Sequence, residues 1–281
     1  MKSKNLRLLN LGCSAHCHPE WVNIDVLPAP NVIVHNILMG IPYPDSYFDV
    51  VYHSHLLEHF SKDDAARFIV ECFRVLKPGG IIRVVVPDLE TVATLYLKWL
   101  NLAISGVETA QDNYEWMMLE MYDQAVRSFQ GGGTEQYLMK TGLRNREFIR
   151  TRIGSIADIY WNRTESKVSI WKRVKIAGPR RVMRYVGQRM TCLLLGVLAG
   201  KEMRLALENG LLRRSGEIHL WMYDRFSLKN LLEKSGFLNA KACSAMESQI
   251  IDFNRYELDV VKGEIRRADS LFMEAVKPEN L

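Results

Sequence analysis

The sequence predicts an α/β fold, a mainly parallel sheet with helices on both faces, interrupted by a mostly helical basic insertion. Three observations predict it. Short apolar runs alternate with crossover segments over residues 1–91, and the same rhythm returns over 215–281. Between them, over 92–214, strand patterns vanish while helical and basic patterns take over. One core built from 1–91 and 215–281 is therefore expected, with 92–214 inserted into it.

The elements follow in order. LRLLNLG (Leu6–Gly12) is a short apolar run stopped by glycine, and WVNIDV (Trp21–Val26), NVIVHNI (Asn31–Ile37) and FDVVYHS (Phe48–Ser54) read as three further strands. Next comes the clearest helix. Ser61 can cap it with Asp64 three residues on, and Ala65, Phe68, Ile69, Cys72, Phe73 and Leu76 recur at helical spacing. Lys77-Pro78-Gly79-Gly80 ends it, and Ile81–Asp88 is an apolar run of buried-strand type. The insertion is broken at Gln130–Gln136 and again at Ala177–Arg181. The strand at HLWMYD, the helix Ser227–Phe237, the strand Leu238–Ser244 and a last strand within Asp269–Lys277 close the core. A sheet of this kind binds ligands at the carboxyl ends of its strands.

Composition narrows the class. With 281 residues, 48% hydrophobic and 25% charged, the chain is neither collagenous, coiled-coil nor disordered. Five cysteines in unpaired spacing argue against a disulfide framework and for a reducing, cytoplasmic compartment. The amino terminus runs straight into a strand pattern, without the sequence of a secretory signal. The longest apolar stretch, Cys192–Gly200, is too short to span a bilayer. Charge is unevenly spread. Residues 140–214 hold 18 Lys and Arg against 5 Asp and Glu, a net of +13; the whole chain sums to +5, so the remainder carries −8. An anionic partner belongs to that segment.

LNLGCSAHCHPEWVNID carries the most information. A glycine ending the first strand lets backbone approach a ligand, its N–H groups can hold a carboxylate or phosphate, and Asp25 at the end of the second strand can accept from ribose hydroxyls. A dinucleotide site needs G-x-G-x-x-G before a helix; here only Gly12 is glycine, and Pro19 leaves no room for a full helix, which disfavours NAD. A ribose-bearing ligand with a small anionic group fits better. The bland alternative is a tight turn without a ligand.

LNLGCSAHCHPEWVNID, IPYPDSYFDVVYHSHLLEHF and RVLKPGGIIRVVVPDLE together resemble the class I S-adenosylmethionine-dependent methyltransferases, which are Rossmann-like. The resemblance is nearest to predicted methyltransferases of bacterial surface-polysaccharide gene clusters. It covers most of residues 8–91 and resumes at Ser215–Phe237 and SLFMEAVK; YDQAVRSFQGGG (Tyr122–Gly133) resembles that group more loosely. It implies that Gly12, Cys13 and Ser14 face the methionine end of the cofactor and that Asp25 binds the ribose. Asn36 would touch the adenine amine, Ile37 would pack on the ring, and Ser54 and His55 would lie beside the sulfonium. Two positions depart from the pattern: Ser14 stands where a second glycine is usual, at the cost of a Cβ alone if its φ is negative, and Asn36 replaces a usual Asp.

Methyl transfer to a hydroxyl needs a base, and histidine suits that task. His55 is one candidate, with His53 on the same side of the strand and Ser54 opposite by alternation. His59, in Leu57-Glu58-His59, reads as structural, its ring bonded to backbone. His219 in GEIHLWMYD is the rival base, with Trp221 and Tyr223 beside it; the alternative is that these residues cork the seam between core and insertion. Asp88 either orients the acceptor or His219, or caps the following helix. Cys13, His16, Cys17 and His18 lack the spacing of a zinc site, so no metal is expected.

The insertion reads three ways: a solvated helical surface, a platform for the phosphates of a nucleotide-sugar, lipid-linked acceptor or RNA, or an element lying on the inner face of a membrane through 180–204. The reading that joins charge and apolarity is O-methylation of an anionic, sugar-type acceptor in surface glycan biosynthesis. The alternatives are an RNA methyltransferase and a non-catalytic scaffold of the same fold.

Overall fold

A computed structural model describes residues 6–14, 16–162 and 179–279. The strands are β1 (Leu8–Leu11), β2 (Trp21–Asp25), β3 (Val32–Val34), β4 (Phe48–Ser54), β5 (Leu76–Pro87), β6 (Leu238–Cys243), β7 (Val260–Val261), β8 (Glu264–Ile265) and β9 (Ser270–Val276). Seven of them form one sheet in the order β3-β2-β1-β4-β5-β9-β6, and β7 and β8 make a separate hairpin. The pairs from β3 through β5 are parallel, and β9 runs antiparallel to both its neighbours. The carboxyl ends of β1, β2, β4 and β5 thus share one edge.

Alternation along the strands divides the core. Leu9, Leu11, Val51, Ile82, Val84 and Val86 pack with Phe68, Ile69 and Cys72 of α1 (Lys62–Val75) and with Leu228 and Leu232 of a late helix, Arg225–Lys234. Ser61 caps α1 as its sequence predicts, accepting from the Asp64 N–H at 3.1 Å. Leu8, Val50, Tyr52 and Val85 point the other way, against Ile250, Phe253, Tyr256, Leu258 and Val260. Arg83 stands on this second face with no exposure to solvent. Its Nε donates to Asp259 Oδ2 at 2.7 Å and its guanidinium to Glu274 Oε1 at 2.6 Å, while the Tyr52 hydroxyl donates to Asp259 Oδ1 at 2.6 Å. These bonds pin the stretch between β6 and β9 to the sheet. That stretch delivers Arg266 and Arg267 to the carboxyl edge.

The segment after β5 is helical: α2 (Leu89–Ile104), α3 (Ala110–Met118), a π turn at Leu119–Asp123, α4 (Gly132–Leu138), α5 (Arg146–Ile153), α6 (Ile156–Trp161), α7 (Pro179–Leu198) and α8 (Gly200–Arg213). Trp116, Met117, Tyr137, Leu138, Ile149 and Ala157 give it its own buried cluster with Val92. Of the break expected at Ala177–Arg181, Ala177 and Gly178 lie outside the described residues. Tyr122–Gly133 works as a clamp. Asp123 accepts from the Gly133 N–H (2.6 Å) and the Thr134 hydroxyl (2.9 Å) at the start of α4 and pairs with Arg127, which donates to Glu217 Oε1 at 2.9 Å.

The late helix, α9 (Arg225–Lys234), starts earlier than its apolar spacing suggests because Asp224 forms a capping box with Ser227. HLWMYD is not a strand. The place beside β5 belongs to β9, paired from Ile81↔Val276 to Pro87↔Ser270, and the segment makes one bridge, Tyr223 with Asp88. Instead the His219 N–H donates to Gln124 O and the Leu220 N–H to Glu58 O, stitching insertion to core.

Candidate active site

The first strand ends at Leu11, and Gly12 turns the chain with φ +64°. A Cβ there would stand 2.7 Å from Leu56 Cδ1, so the turn requires glycine on two counts. Ser14 has φ +48°, so its cost exceeds the bare Cβ that a negative φ would have carried: the departure from glycine includes left-handed backbone strain. The Ser14 N–H donates to Asp25 Oδ2 at 2.9 Å and the Leu27 N–H to Oδ1 at 2.7 Å. The turn and the acid of the second strand are thus one unit, and each carboxylate oxygen keeps a lone pair for a ligand hydroxyl. Asn10 steadies the loop from below, donating to His16 O and Asn23 Oδ1, both at 3.0 Å. Burial pushes the Cys13 thiol up, keeping it protonated.

A cleft of about 170 Å³ opens at this edge, lined by Asn10, Gly12, Cys13, Ser14, His16, Tyr52, Ser54, His55, Arg266 and Arg267. It gathers Gly12, Cys13, Ser14, Ser54 and His55, with Asp25 tied to its rim through Ser14. It does not gather Asn36 or Ile37. The Asn36 side chain accepts from the Leu38 N–H at 3.1 Å, and Ile37 is buried in the core. Alternation also fails at the end of β4. The strand stops at Ser54 and His55 has φ +51°, so Ser54 and His55 line the cleft together. His53 lies on the opposite face against Phe68, ring centroids 5.1 Å apart. Neither of its nitrogens has a partner among the described residues, and burial lowers its pKa to about 3.

Sequence reasoning missed Arg266 and Arg267. Arg266 is fixed by its Nε on Leu258 O (2.8 Å) and reaches Ser54 Oγ at 3.2 Å, whereas the buried Arg267 Nε has no hydrogen-bond partner among the described residues. The available signal was the Lys262-Gly263 turn between two short β-rich pairs, which sends the next residues back toward the sheet.

Beneath the cleft sits Glu58, wholly buried, with neither carboxylate oxygen hydrogen-bonded among the described residues. His55 Nδ1 is 3.3 Å from Glu58 Oε1, out of line for a hydrogen bond, and its Nε2 meets Ser270 Oγ at 2.8 Å. His219 Nε2 and His59 Nε2 approach the same oxygen at 3.9 and 4.0 Å. The His59 ring is held by Ile218 O at 3.0 Å, in keeping with its expected bond to backbone. Burial raises Glu58 to about 8 and lowers His219 to about 3, and burial followed by the Arg267 and Arg266 charges holds His55 well below its usual value. Asp88 caps α2, accepting from the Glu90 and Thr91 N–H groups. Trp221 lies under the Lys62 ammonium, 3.6 Å from ring centroid to Nζ.

The strand order with its single antiparallel strand makes the core Rossmann-like, with a glycine turn after the first strand answered by an acid on the next. Residues 17–84 match the family described as "Methyltransferase domain". A probable S-adenosylmethionine-dependent methyltransferase of Mycolicibacterium smegmatis is 36% identical over 74 residues, 26% of this chain and 25% of its own length. The probable methyltransferase ltbC of Aspergillus luteorubrus is 46% identical over 48 residues, 17% of each chain. The chain thus spans a quarter or less of the length of these curated relatives. A solved S-adenosylmethionine-dependent methyltransferase of Archaeoglobus fulgidus aligns with 97% of this chain and 86% of its own at 12% identity and a TM-score of 0.37, a loose likeness. The cofactor that goes with such a domain is S-adenosyl-L-methionine.

Proposed function

We propose that the chain moves a methyl group from S-adenosyl-L-methionine to an oxygen of an anionic, sugar-type acceptor in surface glycan biosynthesis. The observation that carries the first half is the Gly12–Ser14 turn locked to Asp25 at the mouth of a cleft whose Arg267 Nε is buried and without a partner among the described residues. A small carboxylate answers that guanidinium and the N–H groups of the turn. Gly12, Cys13, Ser14 and Arg267 would hold the amino-acid end of the cofactor and Asp25 the ribose. The bound cofactor supplies a methyl group on a sulfonium, a carbon already activated for displacement.

The protein's own task is then alignment and proton removal. Ser54 and His55 flank the cleft, and His55 is the base this geometry favours, oriented by Ser270. His219 stays the second candidate, one layer deeper, and Asp88 supports the edge by capping α2.

The acceptor reading rests on the insertion, here taken as lid and acceptor site over a core of 1–91 and 215–281. A second cleft of about 410 Å³ lies between α7, α8 and Ser128–Gln130, with Tyr185, Gln188 and Arg189 on its wall. Along α7, Met183, Val186, Met190, Leu193, Leu194 and Val197 form an apolar stripe, each more than half exposed. Among the described residues no helix is long and apolar enough to cross a membrane. A basic segment with an apolar stripe suits a lipid-linked, anionic acceptor met at a membrane surface.

Calorimetric titration with S-adenosyl-L-methionine and its demethylated product tests the cofactor half. Binding to wild type with loss in Asp25→Ala, and partial retention in Asp25→Asn, is the expected result; equal heats in all three would remove Asp25 from the ribose role. Methyl transfer assayed on lipid-linked glycans and on RNA tests the acceptor half, and turnover on RNA alone would replace it.

A further inference from the structure

We propose that Glu58, His59 and His219 form a binding site for one divalent transition-metal ion, with Zn²⁺ as the ion that the donor set fits best. One ligand atom from each residue falls within 4.8 Å of the others. Ligand–metal distances of about 2.0–2.2 Å place tetrahedral donors roughly 3.3 Å apart. His219 Nε2 and His59 Nε2 stand 3.9 and 4.0 Å from Glu58 Oε1, so each of these two pairs lies within about 0.7 Å of metal-ligand spacing.

Two features separate this cluster from a chance gathering. Glu58 is fully buried and both its oxygens lack a hydrogen-bond partner among the described residues, an arrangement that costs free energy unless something answers the carboxylate. His59 is also oriented as a ligand would be. Its Nδ1 faces Ile218 O at 3.0 Å, which puts the ring hydrogen on Nδ1 and leaves the Nε2 lone pair directed toward Glu58. Two histidines and one carboxylate are the protein ligands of an open zinc site, and imidazole with carboxylate admits Co²⁺ as a spectroscopic substitute. The residues come from two distant parts of the sequence, Leu57–His59 and the re-entry at Ile218–His219, so the ion would also fasten the insertion's return to the core.

The test uses the whole chain stripped of metal by chelator, then titrated with Zn²⁺ calorimetrically and with Co²⁺ by absorption. The expected result is one equivalent bound, with Co²⁺ bands of nitrogen–oxygen type and no intense thiolate charge-transfer band. Glu58→Gln, which keeps the side chain's shape, and His219→Ala should each weaken Zn²⁺ at least tenfold, while Cys17→Ser leaves it unchanged. Absence of binding to the wild type overturns the proposal. So does a thiolate band, which would move the ion to the Cys13–His18 loop, a result readable on wild type even if a variant fails to fold. The readout is metal binding, so it is independent of whether methyl transfer is found.

Discussion

Gly12 and Ser14 share a left-handed backbone for different reasons. At Gly12 both the conformation and Leu56 exclude a side chain, so Gly12→Ala is expected to abolish cofactor binding in a titration and lower the melting temperature. At Ser14 the strain is local and the N–H bond to Asp25 needs no side chain. Ser14→Gly should therefore raise stability by about 0.5–1 kcal/mol in urea unfolding, with cofactor affinity unchanged or improved. The glycine turn and Asp25 were legible because close backbone approach and a carboxylate that accepts two backbone N–H bonds constrain residue type. Ser14's positive φ was not, since serine ordinarily takes a negative φ and nothing in the sequence marks this exception.

His53 offers a test with a pH axis. Its pKa falls from 6.5 to about 3 on folding because the ring is buried, with no hydrogen-bond partner among the described residues. The unfolded chain thus binds a proton below pH 6.5 that the native state accepts only near pH 3, and stability drops as pH falls through that window. His53→Phe removes both the unpaired nitrogens and the proton uptake. A gain of about 1 kcal/mol is expected at pH 7.5 and a larger one at pH 5, read as the difference between urea midpoints. Equal gains at both values would show that His53 is not the group that titrates.

Among the elements, strands and helices were legible where periodicity was set by burial on one face. β1, β2, β4, α1 and β9 follow their apolar patterns within a few residues. HLWMYD reads as a strand by the same pattern but lost its place in the sheet to β9, a choice between two apolar segments that local sequence does not encode. The stretch from Ala245 to Arg267 covers a sheet face with only a short 3-10 turn and a two-residue hairpin, so periodicity could not announce it, nor Arg266 and Arg267 at its end. The Tyr122–Gly133 clamp gives the prediction at this scale. Asp123 and Arg127 are buried together, and Asp123 also caps α4. Asp123→Ala takes away one of the two carboxylates paired with the buried Arg127 guanidinium and should cost about 3 kcal/mol in denaturant unfolding. Because Arg127 also holds Glu217, two residues before His219, the variant should bind Zn²⁺ more weakly as well.

At the scale of the whole molecule, the charge asymmetry is smaller than the sequence count implies. Arg144, Lys140 and Arg152 pair with Asp112, Glu115 and Glu120, acids that lie just before the basic window, so part of that charge is matched inside the helical segment. What stays turned to solvent on α7 is the apolar stripe, with Cys192 buried on the opposite side. A surface helix that exposes its apolar side gains free energy by resting on lipid, and neighbouring cations strengthen the contact when the lipid is anionic. Co-sedimentation should therefore find the wild type on vesicles containing phosphatidylserine more than on neutral ones, with binding reduced by salt. Leu194→Asp places a charge at the centre of the stripe, away from either cleft lining, and should release the protein from vesicles while leaving cofactor binding intact. Undiminished vesicle binding by that variant would take α7 out of the membrane contact, and no binding by the wild type would leave the stripe to a protein partner.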